Sequence, residues 1–310
     1  ACNAKELRTP DFPVKEIRCL VQSGISSRSE LRVQAGRIVT PVRILLTNDD
    51  GIKAEGLQAL RRELRKIEGV TLDVIAPDGN RSATARSITT RESLSIEEVE
   101  FDDGDIGYAT SGTPVDCVRF GDVGLLGDKP DLIVSGINHG LNLGDDVSYS
   151  GTVAAAFEGL VLGLPAIAVS QQSTGGEMGY RAYRSFDFGL AASFTAQVVH
   201  EIVSHPMPEG TLININVPGN KPEGVDATRL GKRIYRDELK LIDRDDGDGR
   251  KHYRIYGHEP GENQEPDTDI GSIARNRIAV TPLHLDLTDH GGIDGLHQRD
   301  LERALGAAAR

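Results

Sequence analysis

From Val42 onward, short apolar runs alternate with segments whose apolar residues recur at helical spacing. Arg43-Ile44-Leu45-Leu46-Thr47 reads as a strand, and Leu57, Leu60, Leu64 and Ile67 then mark one face of a helix from about Glu55 to Glu68. Val70 to Ala76 is a second strand, stopped by the turn-forming Pro77-Asp78-Gly79-Asn80, and a long polar loop follows. Asp131 to Ser135 and Ala166 to Ser170 are apolar runs bounded by Pro and Gly, as expected of strands buried on both faces. A small-residue helix from near Gly151 lies between them, a further helix is expected over Phe186 to His200, and Leu212 to Val217 alternates like a half-buried strand. Strands alternating with helices predict an α/β protein with a mostly parallel sheet and flanking helices.

Past residue 226 the chain becomes charged, glycine-rich and irregular. The acidic run 243–248 lacks the closing Glu and flanking helices of an EF-hand and predicts a solvated hairpin tip. Ile278 to Leu287 alternates again. The expected organisation is therefore a core over 41–226 and a strand-rich extension over 227–310, packed on the core or on a partner subunit. Residues 1–40 differ in charge, with seven Lys or Arg against four Asp or Glu, whereas the whole 310-residue chain has a formal charge of −12. They are expected to be a mobile extension or sequence translated upstream of the true start.

The acidic balance argues against nucleic acid and anionic membrane as partners, because a broad phosphate-binding surface needs a positive field. A small anionic substrate remains open if a metal supplies local positive charge. Cys2, Cys19 and Cys117 form neither a zinc spacing nor a disulfide framework, so a reducing cytoplasm is the expected setting. No run approaches the ~20 apolar residues of a membrane span.

Candidate chemistry gathers after the predicted strands. The first run ends on Asn48-Asp49-Asp50-Gly51, either a hairpin-type turn or adjacent carboxylates converging on a hard cation where open sheets bind ligands. The loop after the second strand carries Arg81-Ser82, a guanidinium able to meet phosphate and a hydroxyl able to be a neutral metal ligand or a local turn acceptor. Gly136-Ile137-Asn138-His139-Gly140 offers an amide oxygen between glycines, or a plain glycine-rich turn. Ser150-Gly151-Thr152 opens a helix whose free N–H groups suit phosphate, although a hydroxyl there commonly just caps the helix. Ser111-Gly112-Thr113-Pro114 reads chiefly as a cap, with Thr113 at N-cap and Pro114 at the first helical position.

Several rivals are excluded by spacing. Gly51 occupies the place where a haloacid-dehalogenase-type phosphatase needs its acid, and the third run ends in Ser135 where a receiver domain needs its acceptor Asp. Neither GxGxxG after the first strand nor GxxxxGK[ST] is present, and the eight histidines show no HExxH.

Taken in order, Thr47-Asn48-Asp49-Asp50-Gly51, Ala76-Pro77 with Arg81-Ser82, Ser111 to Cys117, Ser135-Gly136-Ile137-Asn138, and Asn142 to Asp146 through Tyr149-Ser150-Gly151-Thr152 resemble the motifs of the SurE family of metal-dependent nucleoside monophosphate phosphatases. The resemblance spans about residues 42–290, including Val280 to Leu287. It implies a Rossmann-like core and carboxy-terminal segments exchanged in homodimers or homotetramers. It also implies one Mg²⁺ or Mn²⁺ per subunit held by Asp49, Asp50, Ser82 and Asn138. Asn48, Arg81, Asn138, Ser150, Gly151 and Thr152 would bind the substrate phosphate, with Asp49, Asp50 and Asn48 carrying the chemistry. The implied reaction is hydrolysis of nucleoside 5′- or 3′-monophosphates; short polyphosphate hydrolysis and a non-catalytic metal- or nucleotide-binding regulatory module are the alternatives. The chain departs from the family pattern in its 40-residue lead and at Ala83, where the family usually has Gly and a left-handed backbone would strain any residue with a Cβ.

Overall fold

The computed structural model describes residues 33–34, 37–38, 41–177, 184–234, 237–242, 252–257, 261–262, 265–299 and 301–308. Eleven strands matter here: β1 Val42–Thr47, β2 Val70–Pro77, β3 Ile96–Glu100, β4 Ile106–Thr110, β5 Leu132–His139, β6 Ala166–Gln171, β7 Thr211–Val217, β8 Val225–Ala227, β9 Asp237–Ile242, β10 His252–Gly257 and β11 Ile278–His284. Helices α1 Glu55–Leu64, α2 Pro114–Asp122, α3 Gly151–Val161 and α4 Gly189–Ser204 join the strands of the core, α5 Asp269–Ala274 precedes β11, and α6 His290–His297 and α7 Leu301–Ala308 follow it.

Nine strands form one sheet in the order β8-β11-β7-β6-β5-β1-β2-β4-β3. From β7 to β4 every neighbour is parallel, whereas β3 is antiparallel to β4 and β11 is antiparallel to β7 but parallel to β8. Chain order runs from β1 outward to β2 and β4, then returns across β1 to start β5, so the topological switch point lies between β1 and β5. Ligands of open α/β sheets bind at that crevice, beyond the carboxyl ends of the strands.

The alternation of side chains along β1 gives each face its own core. Ile44 and Leu46 pack with Leu57, Leu60 and Leu64 of α1 and with Ala191, Ala192 and Val199 of α4. Leu45, pointing the other way, packs with Cys117 and Val118 of α2 and with Val153, Ala155 and Ala156 of α3. Cys117 is fully buried and its thiol is pushed up to about 12, chiefly by that burial, which makes it a core residue rather than a nucleophile.

The α/β class with its mostly parallel sheet is as expected, but several elements differ. The polar loop after Asn80 contains β3 and β4; Ile96-Glu97-Glu98-Val99-Glu100 is an edge strand with a polar, largely exposed pattern, too weakly alternating to stand out. The third strand continues to His139, past its apolar run, with a register shift against β6 between Ser135 and Asn138. Helix α4 starts at Gly189 rather than Phe186, leaving Phe186 and Phe188 ahead of it. Strand β11 pairs with β7 inside the central sheet, so the tail completes the core, while β9 and β10 pair only with each other. The hairpin tip expected at 243–250 and all but four of the first 40 residues lie outside the described residues. Among the described residues, no helix is long and apolar enough to cross a membrane.

Candidate active site at the sheet switch point

Asn48 turns the chain at the end of β1. Its side-chain amide donates to the Gly51 carbonyl (3.0 Å) and its amide oxygen accepts from the Gly51 N–H (3.1 Å), closing a buried loop around the two acids. Gly51 has φ +107° and lies against the Gly79 backbone, a conformation and a closeness that a side chain would oppose. The loop directs Asp49 toward the amino end of α3. There its carboxylate accepts from the Thr152 hydroxyl, and a Cβ on Gly151 would come within 2.8 Å of the Asp49 Cβ. Glycine at 151 therefore lets the helix end close onto the acid.

Asp50 faces two other loops. Its Oδ2 accepts from the backbone N–H of His139 (3.0 Å), and its Oδ1 accepts from the Asn80 amide (3.2 Å). Asn80 in turn receives the Ser82 N–H on its own oxygen (2.8 Å), and the Arg81 N–H donates to the Asp49 carbonyl (2.7 Å). The loops carrying Ser82 and Asn138 are thus tied directly to the acid pair. Asn80 and the His139 N–H are contributions that local reading of the sequence did not single out. Asn80 looked like one of four turn formers, and a backbone donor leaves no mark in a sequence.

The remaining expected residues have defined local partners. The Arg81 guanidinium meets Asp78 (2.7 Å) and the Ser111 carbonyl (3.3 Å). Ser150 caps α3 by accepting from the Val153 N–H (3.0 Å), and the Asn138 amide donates to the Gly140 carbonyl (2.8 Å). Ser82 is exposed. Ala83 and Ala85 have φ +59° and +50°, so the strain expected at Ala83 is present and is repeated two residues on.

The electrostatics leave the two carboxylates uncompensated. Asp49 is buried, and its pKa is pushed up to about 6, first by loss of water and second by the charge of Asp50, against the Thr152 hydroxyl and the backbone N–H groups of Asp49 and Thr152. Neither acid has an ion-pair partner among the described residues. No group of three or more His, Cys, Asp and Glu with metal-site geometry is present among them, so any ion here would rely on two carboxylates plus neutral oxygens. That hard, all-oxygen donor set suits Mg²⁺ or Mn²⁺ rather than zinc.

Two buried polar clusters hold the following loop. Asn142 is bonded by Asn214, Asn216 and Ser170, while Asp269 receives the N–H groups of Gly144 (2.8 Å), Gly231 (2.7 Å) and Ile270 (2.8 Å). Burial raises the Asp269 pKa despite those three donors.

Fold and site together define a switch-point α/β protein with an uncompensated pair of adjacent carboxylates at a helix amino end. The family model described as survival protein SurE matches residues 44–237. The 5′-nucleotidase SurE of Rubrobacter xylanophilus is 47% identical over 267 residues, covering 84% of this chain and 98% of that protein. That of Moorella thermoacetica is 43% identical, covering 80% and 92%. The crystal structure of the SurE protein from Aquifex aeolicus superposes with a TM-score of 0.68 at 35% identity, covering 82% of this chain and 97% of that one. The chain belongs to the SurE family.

Proposed function

We propose that the chain hydrolyses nucleoside 5′- and 3′-monophosphates to nucleoside and phosphate, with one divalent metal ion held by Asp49, Asp50, Ser82 and Asn138. The enzyme class, a phosphoric monoester hydrolase of 5′-nucleotidase type, follows from family membership. The observation that carries the metal is the Asp49-Asp50 pair, Asp49 buried and Asp50 half-buried, without a counter-cation among the described residues and with neutral oxygen donors on the two loops bonded to it. Mg²⁺ or Mn²⁺, when bound, supplies Lewis-acid neutralisation at the phosphoryl group.

The chain's own groups then have distinct tasks. Thr152 fixes the Asp49 carboxylate, Asn48 holds the turn in shape, and the amino end of α3 at Gly151 and Thr152 places its positive dipole where phosphoryl charge gathers. The Ser150 cap fixes the start of that helix. Arg81, held by Asp78, gives the rim a positive charge facing substrate phosphate. One of the two carboxylates takes the proton of the attacking water.

Assembly into homodimers or homotetramers through exchanged C-terminal segments is supported by the β9–β10 hairpin. Leu239 and Leu241 lie two apart on one strand, Tyr253 pairs with Leu241, and the three are 68%, 52% and 51% exposed. A cross-subunit partner would bury that apolar face.

Phosphate release from 5′- and 3′-nucleoside monophosphates and tripolyphosphate, measured with Mg²⁺, Mn²⁺ or EDTA, tests the activity. Metal-dependent release from the nucleotides is expected. Release from tripolyphosphate alone would replace the substrate, and no release despite bound metal would leave a binding module.

A further inference from the structure

The residues just beyond the acid pair form a second feature with no task in phosphate chemistry. His139 follows the proposed ligand Asn138, and its ring belongs to a three-ring stack with Phe186 and Phe188, centroids 5.0 to 5.3 Å apart and rings within 27° of parallel. The Arg184 guanidinium lies 5.4 Å from the Phe186 centroid and helps hold that ring. Phe188 is buried, whereas Phe186 is half-buried and lines a cleft of about 520 Å³ between α1 and the start of α4. Lys53, Glu55 and Arg62 line the opposite side. The chain has no Trp and only seven Phe, so two Phe here are a local concentration of flat apolar surface.

We propose that this cleft receives the nucleobase of the substrate, with Phe186 as the stacking surface and Lys53, Glu55 and Arg62 as a mixed-charge rim that meets the base edges. The subsite presupposes nucleotide hydrolysis at the acid pair. Continuity with that pair selects the occupant. Cleft and acids are linked twice, since Lys53 lies three residues after Asp50, and Phe186 stacks on His139, whose backbone N–H is bonded to Asp50. A stacking surface with a rim of both signs tolerates any base and gains most from the wider purines.

Steady-state kinetics of the metal-loaded enzyme on AMP, UMP and ribose 5-phosphate test the subsite in wild type, Phe186→Leu and Phe186→Tyr. Leucine keeps apolar volume without a flat face. The ratio of kcat/KM for AMP to that for ribose 5-phosphate is expected to fall about tenfold in Phe186→Leu, mainly through KM, and to recover in Phe186→Tyr. An unchanged ratio would overturn the subsite while leaving the phosphatase standing. Calorimetric titration with AMP separates the two ideas. Binding weakened about tenfold in Phe186→Leu supports the cleft even if no variant turns over, and equal binding overturns it.

Discussion

Asp49-Asp50 and Asp145-Asp146 are the same dipeptide, each in a segment beyond the carboxyl end of a central strand, but Asp49 is buried where Asp145 is exposed, and only one pair has its own cation. Beside the second pair, Arg233 places its guanidinium 2.6 Å from Asp146 and its backbone N–H 3.3 Å from Asp145, with the Arg side chain only 3% exposed. Beside the first pair the partners are an Asn amide, a hydroxyl and backbone N–H groups, and the charge stays unbalanced. A carboxylate pair provided with its own cation is a structural tie; one with a buried member and no cation is a place for an external ion. The proposed ion belongs, on this contrast, at the first pair, while the second pair anchors its loop through Arg233.

The largest effect expected to test this difference is on turnover. Asp49→Asn should lower metal-dependent phosphate release by roughly 10³-fold or more, the loss of several kcal/mol of charge stabilisation. The metal-free variant should melt no lower than wild type, because the substitution removes an unbalanced buried charge. Turnover within a few-fold of wild type would return the Asp49 turn to a structural role.

The second effect is on stability against pH. Asp49 has its folded-state pKa raised from 3.8 to about 6, so between these values the folded protein holds a proton that the unfolded chain has released. Metal-free stability from this group should therefore fall as pH rises from about 4 to 6, by on the order of 3 kcal/mol. Saturating Mn²⁺ should cancel the fall. Urea unfolding across that range, with and without metal, measures it, and a slope of the opposite sign in the Asp49→Asn difference would break the assignment.

Asp146→Asn should do the converse. Leaving Arg233 without its carboxylate should cost about 2 kcal/mol in urea unfolding, below the value for a fully buried pair because Asp146 is a quarter exposed. Metal affinity should change little. A loss of metal binding larger than the loss of stability would make the second pair part of the site.

The smallest effect concerns the loop that brings Ser82 to the first pair. Ala83 has φ +59°, so Ala83→Gly should relieve strain and raise stability by about 0.5–1 kcal/mol, read as a shift of a few degrees in melting temperature. A fall would mean that chain entropy outweighs the strain.

Much of the fold was legible because its signals are local. The apolar runs of β1, β2, β6 and β7 were placed to within a residue or two, and Thr113 and Pro114 start α2 with a capping box completed by Asp116. The paired acids of the turn after β1 stood out because carboxylates and Gly follow directly on an apolar run. Strand β3 escaped notice because an edge strand facing water needs little apolar patterning. Phe186 and Phe188 fall within the helix expected over Phe186 to His200, whereas they precede α4 and stack on His139.

The sequence by itself determined which segments could be strands or helices, where helices start, and that acids, amides and hydroxyls follow successive strands, because neighbouring residues set backbone preferences and side-chain period. Tertiary structure alone decided that β11 enters the sheet against β7, that Asp50 meets Asn80 and the His139 N–H, that Arg233 neutralises Asp146 rather than Asp49, and that Phe186 and Phe188 stack on His139 and line a cleft. Those partners are distant along the chain, and a charge does not record in its own neighbourhood which opposite charge the folded sheet will bring to it.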